Sequence, residues 1–203
     1  MNYYNIKNNF RDIIVLVCNE KVPYNMILIC FYGLYDIILL WIFMRNECIY
    51  LKTKIVLNSI EDTKKLAKII ADYAFSGMII GLAGDLGSGK TTFTKYLAKN
   101  IGVNDNINSP TFTILKIYQG NYDLYHMDVY RLEDIGYDYE LDDFIYGEGV
   151  SVIEWYTYIR DQLPEELLTI DIQADGEFQR SLLIEGKGRY EKIIEAINNR
   201  YSN

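Results

Sequence analysis

Gly84-Asp85-Leu86-Gly87-Ser88-Gly89-Lys90-Thr91 fits G-x-x-x-x-G-K-[ST] at every fixed position, the pattern of a phosphate-binding (Walker A) loop. The three glycines have no Cβ, so the backbone can take positive φ and turn its N–H groups onto phosphate oxygens. Lys90 offers a compact ammonium to the β- and γ-phosphates, and the Thr91 hydroxyl is a hard oxygen ligand of the kind Mg²⁺ takes. Such a pattern carries weight only between a strand and a helix. Met78-Ile79-Ile80-Gly81-Leu82-Ala83 ahead of it is a short, nearly continuous apolar run, as in a buried parallel strand. Residues 92–100 behind it place Phe93, Tyr96 and Leu97 at helical spacing, and the N-terminal dipole of that helix points at the phosphates.

Outward from the loop, a chain of 203 residues with half of them hydrophobic supports one α/β domain. Its net charge of -8 disfavours a protein that grips a nucleic-acid backbone unaided, because phosphate contacts need clustered Lys and Arg. Cys18, Cys30 and Cys48 match neither a zinc site nor a CxxC redox pair. Residues 26–44 form a nineteen-residue run whose one charge is Asp36, long enough to just span a bilayer. A membrane anchor would carry Asp36 at a cost, and a secretory signal would need an earlier apolar stretch and a small-residue cleavage site. We read residues 1–52 as a hydrophobic amino-terminal extension outside the folded domain, with Met44 as an alternative start, and 53–203 as the phosphate-loop domain.

Within that domain, residues 54–57 predict a strand, and Ser59 with Asp62 forms a capping box in which Asp replaces the usual Glu. A helix follows to about Phe75 with Ile60, Leu66, Ala67, Ile69, Ile70, Tyr73 and Ala74 as its apolar stripe. Ser109-Pro110-Thr111-Phe112-Thr113 is expected to be extended, with Thr111 and Thr113 on one side. Two readings stay open there: a γ-phosphate sensor, or a strand start rich in β-branched residues. Residues 114–118 and 122–130 predict a hairpin whose second arm aligns His126, Asp128 and Tyr130. Asp128 is a candidate for the metal or its water shell, whereas the lone His126 reads as a packing or hydrogen-bonding residue. Arg131 could reach a phosphate or pair with Glu133 or Asp134.

The acidic stretch 133–148 reads as a solvated face. Gly149 to Trp155 is then an apolar strand that ends on Glu154, placed as a Walker B acid is presented: a second metal candidate, or the group that orients a water. The alternative is a strand-end acid capping a helix. Residues 167–173 and 180–185 predict a strand pair, and residues 190–201 an amphipathic helix. The fold class is therefore α/β: a P-loop NTPase-like mixed sheet flanked by helices, one domain with an extra hydrophobic amino-terminal segment.

Four motifs in order, GDLGSGKTTF (84–93), SPTFT (109–113), LYHMDVYRL (124–132) and IEW (153–155), resemble the bacterial TsaE family, ATPases that take part in making threonylcarbamoyladenosine in transfer RNA. The resemblance covers about residue 55 to the carboxyl end. It implies a cytoplasmic Mg²⁺-dependent ATPase, slow alone, that works with the TsaD and TsaB proteins and meets tRNA through them. By position, it implies that Asp85, Gly87, Ser88, Gly89, Lys90, Thr91 and Thr92 hold the phosphates and that Thr63 lies near the adenine. It makes Thr111 and Thr113 a switch-like loop, and Thr91, Asp128 and Glu154 the metal-bearing groups, with Lys90, Asp128 and Glu154 catalytic. The competing classes are a small-molecule or nucleoside kinase, for which the arginines are too scattered to build a lid, and a nucleotide-gated adaptor.

Overall fold

Burial periodicity along the strands tells which part of the sheet is covered. The computed structural model describes residues 2–6, 13–17, 27–31 and 51–201, and the chain divides into two units, 1–47 and 48–203. In the first unit β1 (Asn2–Ile6), β2 (Ile13–Val17) and β3 (Ile27–Phe31) pair antiparallel in that order. Most of the apolar run 26–44 lies outside the described residues. Among the described residues no helix is long and apolar enough to cross a membrane.

The second unit holds a seven-stranded sheet. Its strands are β4 (Leu51–Leu57), β5 (Met78–Ala83), β6 (Leu115–Tyr118), β7 (Leu124–Asp128), β8 (Val150–Glu154), β9 (Leu168–Ala174) and β10 (Arg180–Gly186), in the order β4-β10-β9-β5-β8-β7-β6. β9, β5, β8 and β7 run parallel; on one side β10 pairs antiparallel with β9 and β4 antiparallel with β10, and on the other β6 pairs antiparallel with β7. The central β5 and β8 are buried at almost every residue, as strands covered on both faces must be, whereas β4 alternates buried and exposed. β4 starts at Leu51, ahead of the expected boundary at residue 53.

Three helices pack on one face: α1 (Ile60–Asp72), α2 (Lys90–Asn100) and α5 (Glu191–Tyr201). Leu66, Ala67 and Ile70 of α1, Phe93 and Leu97 of α2 and Ile193, Ile194 and Ile197 of α5 meet Ile80, Leu82, Val152 and Ile170 of the sheet in one core. The other face is covered by the segment that carries α3 (Leu132–Ile135), α4 (Asp142–Ile145) and the 3-10 stretch Tyr156–Gln162. The acidic stretch thus consists of short helical turns with Leu132, Leu141 and Ile145 tucked inward.

Several local expectations are corrected. The Ser59 box forms with Asp: Ser59 Oγ accepts from Asp62 N at 3.2 Å, and the shorter carboxylate reaches Asn58 N instead of the cap residue's own N–H. Such a cap contributes about 1 kcal/mol. Ile60 and Tyr73 lie outside the buried stripe of α1, because one opens the helix and the other ends it. β7 ends at Asp128, not Tyr130, and residues 110–114 form a turn closed by Thr113 N and Ile114 N on the Pro110 carbonyl. Thr111 and Thr113 therefore do not line one side of an extended chain.

Gly81 shows how tightly the second face is packed. A Cβ there would lie 2.6 Å from Tyr156 Cγ, at the root of a buried ring that cannot swing away. Gly81→Ala is expected to cost about 1–3 kcal/mol in urea or thermal unfolding, as overpacking does. Native-like stability would show that this layer yields.

Candidate functional site

The loop 84–89 leaves the carboxyl end of β5 and runs straight into α2, the place where parallel α/β sheets present ligand sites. Gly84, Gly87 and Gly89 all have positive φ, at 131°, 80° and 112°. Gly84 is further constrained because a Cβ would lie 2.2 Å from the Ile172 carbonyl of β9. Above Gly87 and Gly89 there is open space. The result is a concave run of backbone N–H groups at a helix N-terminus, a ready anion cradle.

Lys90 is buried and its ammonium is held by the loop's own carbonyls, Gly84 O at 2.6 Å and Asp85 O at 3.0 Å. It also lies 3.9 Å over the Trp155 ring. Burial pushes its pKa below the usual lysine value, and the charges of Glu154, Asp128 and Asp85 oppose that shift. Ser88 Oγ is buried without a partner among the described residues, packed beneath the loop 2.8 Å from where a Cβ on Gly84 would sit.

The two acids arrive from adjacent strands. β7 and β8 are parallel with His126 opposite Val152 and Asp128 opposite Glu154, so all four side chains share the face towards α2. Glu154 Oε1 accepts from Thr91 Oγ1 at 2.8 Å and from His126 Nε2 at 2.8 Å. Asp128 Oδ2 accepts from Thr111 Oγ1 at 2.6 Å and Ser109 Oγ at 3.4 Å, and its Oδ1 accepts from Tyr130 N. Thr113 is turned away and donates to Pro110 O at 3.4 Å. Trp155, directly after Glu154, sits in the left-handed region (φ 64°), which turns the chain and brings its ring under Lys90. Ile114 is in the same region (φ 63°). Each such residue stores about 1–2 kcal/mol, and here both flank the site.

A cleft of about 150 Å³ opens beside the cradle, lined by Ile60, Thr63, Gly87, Gly89, Thr92 and Phe178 among others. Arg180 ties its outer wall to the loop: Nε donates to Ser88 O at 2.8 Å, and Nη1 to Gly176 O at 2.9 Å and Gln179 O at 2.8 Å. The exposed Asp85 borders a different, shallower groove on β4, β9 and β10.

The family model described as "Threonylcarbamoyl adenosine biosynthesis protein TsaE" matches residues 57–182. The chain belongs to the TsaE family. It is 46% identical over 140 residues to the tRNA threonylcarbamoyladenosine biosynthesis protein TsaE of Bacillus subtilis, covering 68% of this chain and 89% of that one. It is 37% identical over 131 residues to the TsaE protein of Treponema pallidum, covering 64% of this chain and 97% of that one. A crystal structure of Bacillus subtilis YdiB superposes with a TM-score of 0.64 at 38% identity, covering 76% of this chain and 99% of that one.

Within this TsaE chain, the structure brings Lys90, Thr91, Asp128, Glu154 and Thr111 around one loop, and it places Thr63, Thr92, Gly87, Ser88 and Gly89 on one cleft. Thr113 stands apart. Arg131 lies over the Phe112 ring at 5.1 Å, neither of the two roles expected for it. Three participants escape sequence reasoning: Arg180, Phe178 and the Lys90–Trp155 contact. The first two lie some ninety residues after the loop in a hairpin that carries no motif, and only tertiary packing sets them beside it.

Proposed function

We propose that this chain is the ATP-binding and ATP-hydrolysing subunit that supports threonylcarbamoyladenosine modification of tRNA next to the anticodon, acting in the cytoplasm with TsaD and TsaB. The observation that carries the proposal is the Thr91–Glu154 hydrogen bond beside an open glycine cradle. The donor set fits a nucleotide triphosphate with Mg²⁺. The cradle offers N–H groups, Lys90 offers a cation, and Thr91 gives its hydrogen to Glu154 while keeping lone pairs for a metal. Among the described residues no three His, Cys, Asp or Glu side chains are arranged to hold a metal ion by themselves; Mg²⁺ characteristically takes one or two protein oxygens and fills the rest with phosphate oxygens and water.

Bound Mg²⁺ would neutralise charge that develops on the phosphate oxygens during phosphoryl transfer. The chain's part is positioning. Lys90 moves from its carbonyl partners onto the phosphate tail, the cradle fixes that tail against α2, and Asp128 and Glu154 supply carboxylates on one side of it. Thr63, Phe178 and Ile60 form the wall against which an adenine packs. Arg180 is committed to Ser88 and its own turn, and Arg131 rests on the exposed Phe112 ring, so neither is already fixed to bear on the transition-state charge. Turnover alone is therefore slow, and a partner completes the site. Phosphate release measured on the chain alone and with TsaD and TsaB, beside a screen of phosphate acceptors, tests this. Slow Mg²⁺-dependent hydrolysis that rises with the partners is expected. Absence of hydrolysis in both conditions, or phosphoryl transfer to an acceptor, would overturn it.

A further inference from the structure

We infer that His126 is a positioning residue for Glu154, and through it for the metal-bearing side of the phosphate loop; the inference rests on the ATP reading above. His126 is the chain's one histidine and is fully buried. It lies on β7 one residue pair behind Asp128, on the face that carries Glu154. Its Nε2 is 2.8 Å from Glu154 Oε1, and since an ionised carboxylate only accepts, Nε2 is the donor. Its Nδ1 is buried without a partner among the described residues, so the ring's hydrogen bonding is committed to Glu154 alone.

The same Oε1 takes the Thr91 hydroxyl hydrogen at 2.8 Å. The two donors come from opposite sides of the site, one on the sheet and one on α2. Together they hold one oxygen of Glu154 and leave Oε2 for other partners. Thr91 alone would not fix the carboxylate, because its single hydroxyl hydrogen turns about the Cβ–Oγ1 bond and holds the oxygen from one side only. The imidazole is rigid and locked by packing, which makes it the fixed point of the chain His126–Glu154–Thr91. Partners of this outer kind, when removed, typically cost about 10–100-fold in metal affinity or activity. A histidine that merely filled space would leave metal-linked behaviour untouched.

The test compares the affinity of a non-hydrolysable ATP analogue, by calorimetry, with and without Mg²⁺. His126→Phe keeps the ring volume and removes the donor. It is expected to lower the Mg²⁺-dependent gain in affinity by about 10-fold and to leave metal-free affinity within a few-fold of native. His126→Gln places an amide N–H near the Nε2 position and is expected to restore most of the gain. In a Glu154→Gln background, His126→Phe should change the gain no further, since one acts through the other. If His126→Phe alone does not fold, His126→Asn takes its place: its amide stops near the Nδ1 position, short of Glu154, and the same loss of the Mg²⁺-dependent gain is expected, with a native gain overturning the inference. A native gain in His126→Phe, a His126→Gln as impaired as the phenylalanine variant, or an equal loss in both backgrounds would overturn the inference. Failure of the native chain to bind the analogue at all would instead overturn the ATP reading.

Discussion

Lys90→Ala is expected to weaken ATP binding by about 100-fold or more and to abolish hydrolysis. The ammonium is buried at the mouth of the cradle, held by two carbonyls of the loop and one aromatic face, with Asp85, Asp128 and Glu154 acting on its charge. A charged hydrogen bond contributes about 1.5–3 kcal/mol, so losing the lysine's contacts to two phosphates removes about 3 kcal/mol or more. Each 1.4 kcal/mol is about tenfold in affinity. The fold should survive, because truncation also removes a charge that burial penalises, and the carbonyls it frees lie beside an open cradle. Calorimetry with an ATP analogue and far-UV circular dichroism separate the two effects. Native affinity in a folded Lys90→Ala chain would mean that the loop is not a nucleotide site.

Glu154→Gln should lower kcat by about 100-fold, in the range seen when one preorganised charged or hydrogen-bonding group is removed from an active site. KM for ATP should stay within a few-fold, since on the proposed reading the carboxylate bears on the metal and not on the base. Glutamine is the informative substitution. It keeps the side-chain volume and an oxygen to accept from Thr91 and His126, whereas alanine would leave both donors without an acceptor in a buried site. Steady-state phosphate release measures the effect. Equal turnover in the variant would return Glu154 to the role of a strand-end acid that anchors the first turn of α2.

Much of this architecture is legible in the sequence because local and tertiary demands agree. The glycine loop sits between an apolar strand and a helix, and the structure places β5 and α2 on either side of it. Glu154 ends an apolar run, and β8 delivers it beside Thr91. The failures have physical causes. Thr111 and Thr113 alternate as in a strand, but Pro110 accepts two backbone N–H groups and closes a turn, so one threonine reaches Asp128 and the other does not. Ile60 reads as core by periodicity and instead lines the cleft at the first position of α1, where no neighbour covers it. His126 reads as a packing or hydrogen-bonding residue and is one, buried and bonded to Glu154; the identity of its partner is not legible, because Glu154 lies twenty-eight residues away on the next strand and only parallel pairing brings it within reach.

The central claim is that one glycine loop holds the phosphates of ATP while carboxylates from β7 and β8 govern its metal. A crystal structure of the chain with a non-hydrolysable ATP analogue and Mn²⁺, read by the anomalous signal of the metal, tests this most directly. The account predicts the metal between the phosphate tail and Thr91, with Asp128 and Glu154 bound to it directly or through its waters. A metal bound elsewhere, with both carboxylates keeping only their present protein partners, would contradict it.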